Sequence, residues 1–349
     1  MNKHTLIQND FPRYLDQFLN YHLTVIHNCS HHTFASYCDT FTQLLEFMRD
    51  QEGITAEKLQ LVDFNKATIE RFLSHIEEKR RCKTSTRNVR LAALHSFFRY
   101  LQYDHPEFLR QWAAILAIPY KKTAGRVVSF LNVDGMKLLL SLPDQQTAIG
   151  RRDLALLSLM YATGCRVQEL CDLTPSSLRF SNPPLITIIG KGRKPRMVPL
   201  RDDQLLIMKQ YMQEHELFDL SNNASPLFPN RQQQRLTRQA VSKILEKYII
   251  QARNISPDLI PEKFSCHCIR HSLAIHLLQA GVNLIYIRDI LGHASIKTTE
   301  IYARVLSKQK FEALEKAYPH LAQGQQLEPF WKKDKGVLAW LNSFKYNNK

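Results

Sequence analysis

The sequence predicts a mainly α protein with one small β-hairpin or sheet, an α+β chain in two domains. Three observations carry this. Apolar residues recur at helical spacing through the first hundred positions. A basic, proline-containing stretch then breaks the pattern near residues 118–128. In the second half, one pair of β-rich runs, Leu185–Ile189 and Arg196–Leu200, interrupts an otherwise helical pattern. A length of 349 residues suits two domains, and hydrophobic residues, 44% of the total, are spread through both halves.

The first domain, residues 1–117, reads as a four-helix unit. Asn9 and Asp10 suit the start of one helix, with Pro12 in its first turn and Leu15, Phe18, Leu19 and Leu23 on one face. Ser30 suits the start of a second, with Tyr37, Phe41, Leu44, Leu45 and Met48 in periodic order. Asn65 precedes a third carrying Ile69, Phe72, Leu73 and Ile76, and Thr84–Ser85 opens a fourth carrying Val89, Leu94, Phe97, Phe98 and Leu101. The fourth is approached through Lys79, Arg80, Arg81 and Lys83, followed by Arg87 and Arg90. Cations at a helix N-terminus add to the positive end of its dipole, an arrangement that favours a bound anion. Arg87 and Arg90 are therefore expected on a phosphate backbone. So are Lys121 and Lys122 of the predicted linker, residues 118–128, which would let the two halves grip a duplex from opposite sides.

The second domain, residues 129–321, begins with a helix through Met136 to Leu142 and continues into an apolar core helix ending at Thr163–Gly164, with Arg166 just past the glycine. Gly190-Lys191-Gly192-Arg193-Lys194 forms the predicted hairpin tip. Ser265, Asn283 and Ser295 each suit a helix start, and Gly281 and Gly292 suit helix ends. In the tail, residues 322–349, Trp331, Leu338, Trp340 and Leu341 form an apolar stripe that fits docking within the chain or onto a neighbouring subunit.

Forty-seven Lys and Arg face 32 Asp and Glu, a formal charge of +15, so the partner is a polyanion: nucleic acid or an anionic membrane surface. There is no apolar run of the roughly 18 residues a membrane-spanning helix requires. The N-terminal stretch is too acidic and interrupted for a signal peptide. Seven cysteines, an odd number at scattered spacing, fit reduced thiols in a cytoplasmic protein. Cys266, His267, Cys268 and His271 lack the second half of a zinc finger, and no metal or other cofactor is expected.

The stretch from Ser265 to Arg304 concentrates His267, Arg270, His271, His293 and Tyr302 with few carboxylates near them. Arginines such as Arg166 and Arg270 suit the oxygens of a phosphodiester, which gather charge in the transition state. A phenol serves as nucleophile if a base or a cationic field takes its proton, histidines such as His267 and His293 manage protons near neutrality, and Lys191 could protonate a leaving oxygen. Glu169, Asp172, Asp289 and Glu300 are too few to hold catalytic Mg²⁺, and Glu169 is better placed to orient Arg166.

On these motifs the chain resembles the tyrosine recombinases of the phage-integrase and Xer type. Ala162-Thr-Gly-Cys-Arg166-Val-Gln-Glu-Leu170 resembles the first arginine box, and Gly190 to Leu200 the hairpin lysine segment. His267-Cys-Ile-Arg270-His271, Leu291-Gly-His293 and Thr298-Thr-Glu-Ile-Tyr302 resemble the remaining boxes. The resemblance implies an N-terminal core-binding domain and a C-terminal catalytic domain forming a clamp on double-stranded DNA. It implies Arg166 and Arg270 as phosphate clamps, Lys191 as general acid, His267 as proton acceptor and His293 as a transition-state donor. Tyr302 would be the nucleophile of a 3′-phosphotyrosyl link, with Glu169 and His271 in support. It further implies a homotetramer that exchanges strands through a Holliday junction, with the C-terminal segment docking on the neighbour. The tail is longer than in short Xer enzymes, which points to integration or excision of a mobile element, with Xer-type dimer resolution as the alternative. More distant alternatives are a type IB-like topoisomerase and a non-catalytic DNA-binding protein.

Overall fold

Short polar side chains start the helices where the sequence places them, because they supply acceptors for backbone N–H groups that have no carbonyl partner. Ser30 Oγ accepts the Thr33 N–H at 3.3 Å, Asn65 Oδ1 accepts the Thr68 N–H at 3.0 Å, and Asn283 Oδ1 accepts the Ile285 N–H at 2.9 Å. The structure, a computed structural model, describes residues 11–102, 106–123, 128–219 and 223–303. The chain divides into two compact units at residues 126 and 127. The first-helix cap at Asn9 and Asp10 and the apolar stripe of the tail lie outside the described residues.

In the first unit, α1 (Phe11–Asp16) runs on as π-helix through Gln17–Ile26. The wider turn brings Phe18 and Leu23, five residues apart, onto the buried side together. α2 (His31–Gln51), α3 (Lys66–Glu78) and α4 (Thr84–Leu101) follow. A short further helix, α5 (Leu109–Leu116), lies beyond the four that periodicity predicts. The core is unusually aromatic: Phe11, Phe18, Phe41, Phe64, Phe72, Phe97, Phe98 and Trp112 are all buried. Phe18 meets Phe97 edge-on at 5.2 Å between ring centroids, the arrangement that ring quadrupoles favour.

α4 also changes the reading of its own cations. Arg87 lies on the same stripe as Leu91, Leu94 and Phe98, all buried, and its Nη1 donates to the Pro119 carbonyl at 3.1 Å. Arg90 donates from Nη1 to the Ser36 carbonyl at 2.9 Å and to Thr40 Oγ1 at 3.1 Å. Both guanidiniums are used inside the unit. Ile118 is buried in the same core, and Asn88 holds both backbone groups of Lys121. The Lys121 ammonium pairs with Glu77 at 2.5 Å while remaining exposed, and Lys122 is exposed too, as are Lys79, Arg81 and Lys83 before α4.

The second unit is built around α7 (Ala148–Thr163), whose Ala155, Leu156, Leu157, Leu159 and Met160 are buried. It is preceded by α6 (Val133–Ser141) and followed by α8 (Val167–Cys171). Next comes an antiparallel sheet in the order β1 (Leu178–Arg179), β2 (Leu185–Ile189), β3 (Pro195–Pro199). β1, two residues long, is too short to leave a periodic signal. β2 and β3 pair with Ile186 opposite Val198 and Ile188 opposite Arg196, so one face of the hairpin meets the core. α9 (Asp202–Glu214), α10 (Arg238–Ile255), α11 (Cys266–Gln279), α12 (Leu284–Leu291) and the helical residues 297–303 complete it. Asp153 is buried on α7 but satisfied: Tyr248 donates to it at 2.8 Å and Arg152 at 2.6 Å, fastening α7 to α10. No described helix is long and apolar enough to cross a membrane.

Candidate active site

The site lies where α7 ends, where β3 passes, and where α11, α12 and residues 297–303 converge. α7 stops at Gly164 in the left-handed conformation, φ +57°. A side chain there would place Cβ 2.6 Å from Leu291 Cδ2 and 2.9 Å from Leu273 Cδ2, so both the turn and the tight packing call for glycine. Two residues later the chain turns into α8 with Arg166 as its N-cap. Glu169, one turn into that helix, accepts the Arg166 N–H at 2.9 Å and the Arg166 guanidinium at 2.7 Å. Its other partner is Arg196 Nη2, from β3, at 2.6 Å. Burial pushes the Glu169 carboxyl upward, but its hydrogen bonds to Arg196 and to Arg166 prevail and hold it below the usual range. One carboxylate thereby orients two guanidiniums.

Arg270, on α11, is 1% exposed. It is held by carbonyls at two helix ends, Nη1 on Gly164 at 2.7 Å and Nη2 on Leu291 at 2.6 Å. Helix C-termini carry partial negative charge, which suits a buried guanidinium. Burial, and next to it the charge of Arg166, lowers its pKa to about 10, still charged at neutral pH.

Tyr302 is 3% exposed and shares a small apolar cluster with Leu273, Ala274, Ile275, Ile287 and Leu291. Packing of residues 297–303 against α11 and α12 buries it. Its hydroxyl lies 2.8 Å from His271 Nδ1, and the His271 and His267 rings meet edge-on at 4.4 Å. Burial raises the phenol pKa, and the positive charges of Arg270 and then Arg166 oppose that rise. His271 is held neutral, at about 4, by burial and by the neighbouring His267 and Arg270. His293, just after the left-handed Gly292 that ends α12, is depressed to about 3 by burial and then by Arg270 and Arg166. Its Nδ1 lies 2.9 Å from Thr299 Oγ1, and its ring lies parallel to that of Tyr302 at 6.4 Å.

Arg166, Glu169, Arg270, His271, His293 and Tyr302 are thus brought together from positions far apart in sequence. His267 sits on the exposed side of α11, beside His271. Lys191 stands in a turn of 3-10 helix, Lys191–Arg193, between β2 and β3. Arg196 carried no role in the sequence reading, although a signal was legible. It alternates with the buried Val198 along β3, which puts an arginine on the strand's inward face. Among the described residues there is no cluster of His, Cys, Asp and Glu that could hold a metal ion.

Residues 129–309 match the phage integrase family, and residues 15–104 match the phage integrase N-terminal SAM-like domain. The chain belongs to the phage integrase family. This is the family of tyrosine recombinases, which are site-specific DNA strand-exchange enzymes. It is 34% identical to the putative integrase/recombinase y4rC of Sinorhizobium fredii, over 94% of this chain and 97% of that protein. It is 32% identical to tyrosine recombinase XerC of Syntrophus aciditrophicus, over 90% of this chain and 98% of that one. Among solved structures, the XerH recombinase bound to its difH substrate after cleavage shares the fold with a TM-score of 0.65, at 23% identity, over 89% of this chain and 90% of that one. The Tn1549 transposon integrase in complex with transposon right end DNA does so at 0.67 and 16% identity, over 86% and 98%.

Proposed function

We propose that this recombinase cuts and rejoins DNA with Tyr302 as nucleophile. The observation that carries the reading is the contact between the Tyr302 hydroxyl and the neutral His271 ring, beside the charged Arg166 and Arg270. The Tyr302 oxygen attacks the phosphorus of a phosphodiester, forming a phosphotyrosyl bond as the bond to the 5′ oxygen breaks. The phenolic proton passes to histidine, with His271 at contact distance and His267 adjacent. Lys191 delivers a proton to the departing 5′ oxygen. Arg166 and Arg270 hold the non-bridging oxygens, and His293 donates to them in the transition state. Attack by a 5′ hydroxyl on the 3′-phosphotyrosyl link reverses every step, so rejoining needs no nucleotide cofactor.

Double-stranded DNA is the partner in this reading. Exposed Lys79, Arg81, Lys83 and Lys122 contact the backbone, while Arg87 and Arg90 hold the surface that carries them. The active form is a homotetramer, linked through the C-terminal segment and passing through a Holliday junction. Its task is integration or excision of a mobile element.

The test is incubation with a nicked duplex carrying the end of the element that encodes the protein, followed by denaturation. A covalent protein–DNA adduct is expected from the natural chain and none from Tyr302→Phe. An adduct that persists in Tyr302→Phe overturns the assignment, and relaxation of any supercoiled plasmid by the monomer favours a topoisomerase.

A further inference from the structure

Three of the sequence boxes meet on one side chain that none of them needs for chemistry. Arg196 leaves β3 and runs between two glycines. A Cβ at Gly292 would stand 2.9 Å from its Cδ and 3.1 Å from its Nη1, and one at Gly190 would stand 3.4 Å from its Nη1. Gly190 opens the hairpin tip that carries Lys191, and Gly292 precedes His293. The guanidinium donates from Nη2 to Glu169 Oε2 at 2.6 Å and from Nε to the Ile290 carbonyl at 2.9 Å. Nη1 is buried, with no hydrogen-bond partner among the described residues. The first arginine box, the hairpin and the end of α12 are therefore joined through a single planar fork with 9% side-chain exposure.

We propose that Arg196 is a positioning residue for strand cleavage, fixing Arg166 through Glu169 while it fixes the hairpin base against the turn that presents His293. Its hydrogen-bond partners among the described residues, Glu169 and the Ile290 carbonyl, are not reacting groups. Glu169 shares its two oxygens between Arg166 and Arg196, so loss of Arg196 frees that carboxylate to turn and carries Arg166 with it. Loss of the Ile290 bond at the same time frees the strand that leads from Lys191. Lysine would keep the charge but cannot make both bonds in one plane, because it offers a single nitrogen. The two glycines have a function in this arrangement: they leave the slot that the guanidinium fills.

The inference rests on Tyr302 as nucleophile, and the experiment keeps the two apart. Adduct formation on the nicked duplex is followed in single turnover at saturating protein, alongside DNA affinity and thermal unfolding, for the natural chain, R196K, R196Q, E169Q and E169Q/R196Q. R196K and R196Q are each expected to slow adduct formation by roughly 10- to 100-fold, as when outer-shell partners of reacting groups are removed, with affinity held within about threefold. The double variant is expected to be no slower than the slower single one, since both changes break the same link. Natural cleavage rates in R196K and R196Q overturn the proposal. So do equal losses of binding and cleavage with additive effects in the double variant, which mark a merely structural arginine. If R196Q does not fold, R196K decides; failure of both to fold also overturns it. A natural chain that forms no adduct at Tyr302 removes the nucleophile reading and this proposal with it.

Discussion

The Nδ1 atom of His271 stands 2.8 Å from the hydroxyl of Tyr302. A ring depressed to about pKa 4 is neutral at physiological pH, and with Nδ1 unprotonated it accepts the phenolic hydrogen. His271, expected from the sequence only in a supporting role, thus holds the phenol at rest. Removing it with His271→Asn is expected to slow adduct formation by roughly 100-fold, the scale of a lost proton acceptor, with DNA affinity unchanged. Single-turnover cleavage at saturating DNA reads this out, and an unaltered rate contradicts the contact's importance.

The same buried rings set a pH dependence of stability. His271 and His293 sit at about 4 and about 3 in the folded chain, against an ordinary value near 6.5. Between those values the unfolded chain binds more protons than the folded one, so stability is full above about pH 6.5 and falls as pH is lowered toward 4. Thermal unfolding from pH 7 to pH 4 should show this decline, and His271→Asn with His293→Asn should make it shallower. An unchanged slope in the double variant would show that these rings do not contribute.

Gly164→Ala is expected to destabilise the second unit by about 1–3 kcal/mol, the cost of a non-glycine residue in a left-handed turn, with further strain from the clash. Its Cβ would press on Leu291 and Leu273, and the Gly164 carbonyl that holds Arg270 would shift. Urea unfolding measures the first effect and adduct formation the second; both should fall together.

Arg87 and Lys122 should separate structure from DNA contact. Arg87→Met removes a buried charged donor from the Pro119 carbonyl and is expected to cost about 1–3 kcal/mol of stability, leaving the salt dependence of DNA binding unchanged. Lys122→Ala should leave stability unchanged and lower the slope of log affinity against log salt by about 1. Denaturation and binding titrations across salt concentrations distinguish them, and the reverse pattern would reassign both residues.

Much of this was legible in the sequence. Helix starts at Ser30, Asn65 and Asn283 follow from side-chain acceptors, and left-handed stops at Gly164 and Gly292 from the absence of Cβ. The inward turn of Arg87 was legible too, since it shares a stripe with Leu91, Leu94 and Phe98, but the density of cations around it outweighed the periodicity in that reading. β1 leaves no signal of its own in the sequence because pairing with β2, not its own two residues, makes it a strand.

By itself the sequence determined the two-domain, mainly helical architecture and the set of polar groups. Periodicity, caps and charge act locally and can be read within a few residues. What only the tertiary structure decided is which of those groups touch. Tyr302 is buried, not exposed, and faces His271; Glu169 is shared by Arg166 and Arg196; and Arg270 is seated on the ends of α7 and α12. These contacts join residues separated by 21 to 106 positions, apart from the one-turn Arg166–Glu169 pair, and the packing of α7, β3, α11 and α12 selects them where sequence spacing cannot.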